Sequence, residues 1–281
     1  MNITDKPAIL GGTFCDRVDD YRTSSGLVMA AASDGGFKNS HMHENQDRAV
    51  LFPTGAAVID GIGGGGPDST KAAEIIAVMI KKHWQFIPEA LRLAYEEIAV
   101  QELEGGACVM IAEITKQKGR KLFLHTRYQA GDVRELMTQR RRPGEDPLTT
   151  QMHVASSTDQ TVLQPEIEAG RMTVKEARRD RRYGAVSNYI TSDYFNPTIA
   201  HSALFPGTRI VLASDGITGN FEEEKEPELA RLAHTIKGVR KFVAEVWSLS
   251  AQRMLRSAER FHNGQPSRRD NRTVVAIDIP R

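Results

Sequence analysis

The sequence has very little cysteine, no excess of either charge and no long apolar run. Cys15 and Cys108 are its only cysteines and stand far apart. Alone they make no cysteine zinc site, and a reducing cytosol does not sustain a disulfide between them. Lys plus Arg at 37 nearly cancels Asp plus Glu at 36, so no global field draws the chain to nucleic acid or to a membrane surface. No apolar stretch approaches the roughly 20 residues of a spanning helix. Met1-Asn2-Ile3-Thr4-Asp5-Lys6 lacks the apolar core of a signal peptide. His41, His43, His125, His153 and His201 show no ligand spacing. Internal repeats, linkers and low-complexity tracts are also missing. The expectation is a cytoplasmic protein forming one domain over residues 1–281, without nucleic acid or membrane as a partner.

What is present suffices for a large core: 281 residues, 40% hydrophobic and 26% charged. Residues 1–26 mix Gly11-Gly12, Asp19-Asp20 and Ser24-Ser25 with short apolar pieces and read as an irregular lead-in. A buried strand follows at 27–32. Strands at 48–52 and 56–60 are joined by the turn Pro53-Thr54-Gly55. Asp68-Ser69-Thr70 is an N-cap cluster for a helix whose apolar face is Ala72, Ala73, Ile76, Met79 and Ile80. Pro88 opens a second helix, ended by Gly105-Gly106. Strands are expected at 107–114 and 121–128, with a third running to Met137. The Arg-rich stretch 139–146 reads as a solvated turn. Residues 150–205, with a helix around 173–181, read as a surface excursion over the core. The strand beginning at Arg209 ends in Asp215-Gly216. One long helix is expected over 227–261 and a final strand over 273–279.

Four acids share a context: Asp47, Asp60, Asp215 and Asp270 each sit at the edge of an apolar strand. An Asp-Gly pair such as Asp60-Gly61 ordinarily just starts a turn. Several carboxylates around one cavity, however, repel unless cations neutralise them. Oxygen ligands without Cys or His favour Mg²⁺ or Mn²⁺ over zinc. Two such ions about 3.5–4 Å apart ionise a water, clamp an anionic substrate and orient an in-line displacement. Asp193, Asp278, Asp68 and Asp34 read as solvated turns, caps or edge residues.

An ordered set of motifs extends this reading. It comprises Glu44-Asn45-Gln46-Asp47-Arg48, Asp60-Gly61-Ile62-Gly63-Gly64, Gly105-Gly106-Ala107, Gly131-Asp132-Val133-Arg134, Ser214-Asp215-Gly216 and Asp270-Asn271-Arg272-Thr273-Val274. The set resembles the type 2C family of metal-dependent Ser/Thr protein phosphatases, bacterial type, over about residues 27–279. Leu148-Thr149-Thr150, Glu168-Ala169-Gly170 and Asn188-Tyr189-Ile190-Thr191 also resemble segments of that family.

The resemblance implies an α+β fold, a four-layer α-β-β-α sandwich of two mainly antiparallel sheets flanked by helices. Asp60 would bridge two Mn²⁺ or Mg²⁺ ions, one of them also bound by the carbonyl of Gly61. Asp215 and Asp270 would hold the other, and Asp47 would act on the first or through its waters. Asp132 is the candidate for a third, weaker ion. A bridging hydroxide would attack phosphorus directly, in a phosphorylated protein substrate whose dephosphorylation a Ser/Thr kinase opposes.

Three departures stand out. Where family members commonly place a phosphate-gripping Arg, five residues before Asp47, this chain has Met42; His43 is then the candidate phosphate contact. Ile62 replaces a frequent His, and Gly219 replaces an Asp four residues beyond Asp215. The alternative functions are a catalytically weak phosphatase-like binding or regulatory module and a phosphatase of a small phosphorylated metabolite.

Overall fold

The computed structural model describes residues 3–12, 15–35, 45–62, 66–117, 119, 122–139, 154–221, 226–259 and 270–281. Within them, two six-stranded sheets form the centre. The first runs in the order β1 (Ala8–Gly11), β4 (Arg48–Phe52), β5 (Gly55–Gly61), β6 (Ala107–Lys116), β7 (Phe123–Ala130) and β10 (Thr198–Leu204). The second runs β2 (Cys15–Arg22), β3 (Val28–Asp34), β12 (Arg272–Asp278), β11 (Thr208–Ala213), β8 (Arg134–Gln139) and β9 (Val154–Ser156). Every neighbouring pair is antiparallel.

Strand β5 shows why the sequence builds four layers. All of Gly55-Ala56-Ala57-Val58-Ile59 is buried, so both faces of the strand are covered. Its alternate residues Ala56 and Val58 enter the core between the sheets, with Met29, Leu51, Met110, Leu212 and Ile277. Ala57 and Ile59 face the other way, onto Ala73, Ile76, Ala90 and Leu91 of α1 (Gly66–His83) and α2 (Ile87–Val100). The second sheet likewise turns Ala32, Val211 and Val274 toward α6 (Glu226–Thr235) and α7 (Val239–Glu259), through Leu229, Phe242 and Val243. Each such fully buried Val, Leu, Ile, Met or Phe side chain contributes roughly 1.5–3 kcal/mol from leaving water. The expected α-β-β-α sandwich is therefore the observed one.

Several local expectations change. The lead-in is not irregular throughout, since β1 and β2 lie within 1–26 and supply one edge strand to each sheet. The opposite edges, β9 and β10, come from the 150–205 excursion. The helix expected at 173–181 is only α4 (Val174–Ala177), which follows the short α3 (Gln164–Glu168) and is started by a capping box between Thr173 and Glu176. The one long C-terminal helix is two, separated at Gly238, whose φ of 79° an L side chain rarely adopts. Helix α1 begins at Gly66, so Asp68 lies in its first turn and accepts a hydrogen bond from Glu104 N at 3.0 Å.

Asp34 and Asp278 are buried rather than solvated. Asp34 pairs with Arg272, whose guanidinium lies 4.4 Å over the Trp247 ring. Asp278 receives two bonds from the fully buried Arg209, at 2.6 and 3.0 Å. Residues 140–150, with Leu148-Thr149-Thr150, lie outside the described residues.

Candidate metal centre

The alternation that puts Val58 between the sheets puts Asp60 there too, at the end of β5 and opposite Cys108 of β6. The next residue, Gly61, leaves no room for a side chain. A Cβ there would stand 2.9 Å from the Ser69 carbonyl oxygen and 3.0 Å from Gln46 Cβ. Asp47 immediately precedes β4 and is fully buried. Asp270 precedes β12, Asp215 follows β11 and opens α5 (Asp215–Thr218), and Asp132 lies in the turn between β7 and β8. Ends of several strands thus deliver five carboxylates to one end of the sandwich, and the charges of Asp47, Asp215, Asp132 and Asp270 all act on Asp60.

A buried polar network holds this end in shape. Ser214 Oγ donates to Asp47 Oδ2 at 2.8 Å and accepts from Thr273 N at 3.0 Å. The Thr273 hydroxyl meets Ser33 Oγ at 2.7 Å, and Asn45 Nδ2 donates to the same Ser33 oxygen at 2.9 Å. Asn45 Oδ1 in turn accepts from Asp47 N at 3.1 Å. Asn271 bridges two loops, accepting from Gln46 N at 3.0 Å and donating to Gly35 O at 2.7 Å. Gly216 is dictated by this packing, because a Cβ would fall 1.8 Å from the Asn271 carbonyl oxygen. The Asp-Gly pairs at 60 and 215 therefore reflect close backbone approach rather than turn chemistry.

Crowding and burial act on these acids in one direction. Burial, then the charge of Asp270, pushes the Asp47 carboxyl up to about 7, against hydrogen bonds from Ser214 and Thr273. Burial also raises Asp60 well above the usual carboxylate range, with the other four acids adding to it. Asp132 rises to about 6, through burial first and the charge of Asp159 second. Cys108, beside Asp132 and Asp60, has its thiol pushed up by burial and by those two carboxylates.

The donor set fits a hard dication. It is all oxygen, and Asp47 Oδ1 is buried without a hydrogen-bond partner. Among the described residues, no three His, Cys, Asp or Glu side chains already stand as a metal-holding cluster. The carboxylates converge without closing into a cage.

Asp47, Asp60, Gly61, Asp132, Asp215 and Asp270, all chosen from the sequence, meet at this end. His43, with Glu44 and Met42, lies outside the described residues. Ile62 packs against the inter-sheet core, and Gly219 closes α5 with its N–H on Asp215 O at 2.7 Å. Sequence reasoning missed Ser214 as a carboxylate anchor, and it missed Asp159 and Gln160. Asp159 pairs with Arg134 at 2.5 and 2.7 Å, while Gln160 N donates to Gly131 O at 3.1 Å. Ser157-Thr158-Asp159-Gln160 has no periodicity that could have signalled this.

No protein-family model matches the chain, and no curated protein matches its sequence. Solved structures do. The serine/threonine phosphatase PstP/Ppp of Mycobacterium tuberculosis is 21% identical with a TM-score of 0.68, over 91% of this chain and 99% of that one. The catalytic domain of the serine threonine protein phosphatase PstP, in complex with two manganese ions, matches at 21% identity and TM-score 0.67 over 91% of this chain and 99% of that one. The PPM Ser-Thr phosphatase MsPP from Mycobacterium smegmatis, in complex with cacodylate, is 20% identical with a TM-score of 0.64, over 89% of this chain and 97% of that one. The chain has the fold of the PPM phosphatases.

Proposed function

We propose that this chain is a Mn²⁺- or Mg²⁺-dependent phosphatase of phosphoserine and phosphothreonine in proteins, working against a Ser/Thr kinase in the cytoplasm. The observation that carries the reading is the convergence of Asp47, Asp60, Asp132, Asp215 and Asp270 at one end of a PPM-type sandwich. Asp60 would serve two ions, with Gly61 O and Asp47 on one side and Asp215 and Asp270 on the other. Asp132 would hold a third, weaker one. When bound, such ions lower the pKa of a water and offset the charge of a phosphoryl group. The chain's own part is positional. Ser214 and Thr273 fix the Asp47 carboxylate, Asn271 fixes the loops that carry Gln46 and Asp270, and the rigid strand end fixes Asp60.

The test is release of phosphate from a phosphopeptide and from a small aryl phosphate, with Mn²⁺ and with EDTA. Turnover should require the metal, and Asp60→Asn should lower kcat by more than about 100-fold, beyond what loss of a metal's outer support costs. A folded Asp60→Asn protein with wild-type turnover would refute the assignment. Metal-dependent binding of the phosphopeptide without turnover would move the reading to a phosphatase-like binding module, as Met42 in place of the family's Arg would favour.

A further inference from the structure

The segment between β9 and β10 is rooted at the candidate centre by both legs. On one side Arg134 pairs with Asp159, and Gln160 bonds both ways with Gly131. On the other, Ile190 and Ala107 exchange two backbone hydrogen bonds of 3.0 Å, and Ala107 is the register partner of Gly61. Asn188 Nδ2 joins the legs through Gln160 Oε1 at 2.8 Å. Whatever the tip of this segment binds is therefore tethered beside the carboxylates.

The tip, residues 164–184, carries Arg171, Lys175, Arg178, Arg179, Arg181 and Arg182 against Glu166, Glu168, Glu176 and Asp180. Its acids are committed internally. Glu166 takes two bonds from Arg171 at 2.6 and 2.9 Å, and Asp180 takes two from Arg182 at 3.0 and 2.8 Å. Glu176 closes the capping box on Thr173, and Glu168 accepts from Gln164 at 3.2 Å. Lys175, Arg179 and Arg181 are exposed and form no ion pair within 4 Å among the described residues. Two large apolar side chains stand in the same stretch, Val174 at 49% and Tyr183 at 40% exposure. The acids fold the tip, and cations with an apolar footing are left facing solvent.

We propose that this tip is a docking surface for an acidic segment of the phosphoprotein substrate, selecting phosphorylated residues flanked by Asp and Glu. The inference rests on the phosphatase reading and adds the substrate class. Surface cations of this kind steer and hold an acidic chain, in a salt-dependent way, without touching the reacting atoms. Their loss raises KM and leaves kcat alone.

The experiment compares two phosphoserine peptides, one with flanking Glu residues and one with Gln in their place, on the full chain with Mn²⁺ at low salt. The wild type should prefer the acidic peptide by about tenfold in kcat/KM, as three exposed charge contacts allow. The combined variant Lys175→Gln, Arg179→Gln, Arg181→Gln should lose that preference through KM, with kcat and aryl phosphate turnover unchanged. Equal use of the two peptides by the wild type, or an equal loss on both in the variant, overturns the proposal. If no phosphate compound is turned over, the phosphatase reading fails separately. Docking is then read by fluorescence anisotropy of the same peptides, labelled, in EDTA. Tighter binding of the acidic peptide to the wild type than to the variant supports the surface. Equal binding overturns it, as does binding of phosphatidylserine vesicles or DNA with neither peptide held.

Discussion

Acidic side chains behave in opposite ways at two places in this molecule. At the tip of the β9–β10 segment, hydrogen bonds from Arg171, from the Thr173 backbone and from Arg182 hold Glu166, Glu176 and Asp180 below the usual carboxylate range, Asp180 at about 2. At the end of the sandwich, burial and then neighbouring carboxylates push Asp47, Asp60 and Asp132 upward. The tip draws its counter-charges from residues a few positions away in sequence. The strand ends face one another with like charge, drawn from segments far apart in sequence. Crowding of that kind stores instability that a bound dication would relieve, so under the proposed function the second group serves metal binding rather than folding.

The sharpest way to break this comparison is to follow stability against pH with and without metal. Asp47 and Asp132 have folded pKa values of about 7 and about 6, above the ordinary 3.8. Between these limits the folded metal-free protein holds protons that the unfolded chain has released. The contribution to stability is therefore fully present below about pH 4 and is lost as pH rises through about 7. Under the proposed function Mn²⁺ would bind the deprotonated carboxylates and act in the other direction. A hundredfold excess over Kd stabilises by about 2.7 kcal/mol, or roughly 5–10 °C in Tm. Calorimetry in EDTA and in Mn²⁺ should show two curves that separate as pH rises from about 5 to 8. A gap that closes with pH, or no gap at all, would leave the crowded acids without the role argued for them.

A smaller effect has an unusual sign. Asp60→Asn takes out of the group an acid that burial and four neighbouring carboxylates oppose ionising, so in EDTA, at the alkaline end of that pH range, the variant should melt higher than the wild type. The expected rise is at least about 2 °C, the shift that 1 kcal/mol produces in a domain of this size. The same variant should gain little from Mn²⁺. A lower metal-free Tm would mean that the Asp60 carboxylate is satisfied by the protein itself.

Much of this was legible because it is local. Strands β4, β5, β11 and β12 are apolar runs ended by Asp or begun after Asp, and each was readable with its neighbouring carboxylate. What escaped was long-range. Strand β2 reads Cys-Asp-Arg-Val-Asp-Asp-Tyr-Arg, and an edge strand with so much polar surface offers no apolar run to find. Strand β10 belongs to the first sheet although most of it is exposed. The Ser214 anchor depends on Asp47, 167 residues away, and the Arg134–Asp159 pair closes a separation of 25 residues. Nothing in the period of a strand or helix encodes such pairings. The break at Gly238 was hidden by apolar spacing that continues on both sides of it.

The smallest predicted effect lies at the tip. Glu176 is exposed, and its pKa is lowered first by the Thr173 backbone hydrogen bond. A lowered carboxylate contributes stability above its unfolded pKa of 4.5 and loses it only as pH falls below that value. Between about pH 5 and 8 the contribution is therefore constant. Glu176→Gln removes the charge but keeps the carbonyl oxygen that closes the capping box, for which Gln serves as well as Glu. Solvent screening leaves the charge itself little weight. The variant should melt within about 1 °C of the wild type, with the same pH profile and the same response to Mn²⁺. It should also take the Glu-flanked phosphopeptide at least as well as the wild type, because the tip has become more cationic. A fall of several degrees, or a new pH dependence in that window, would mean that the Glu176 charge itself holds the tip together, against the screening expected of an exposed carboxylate.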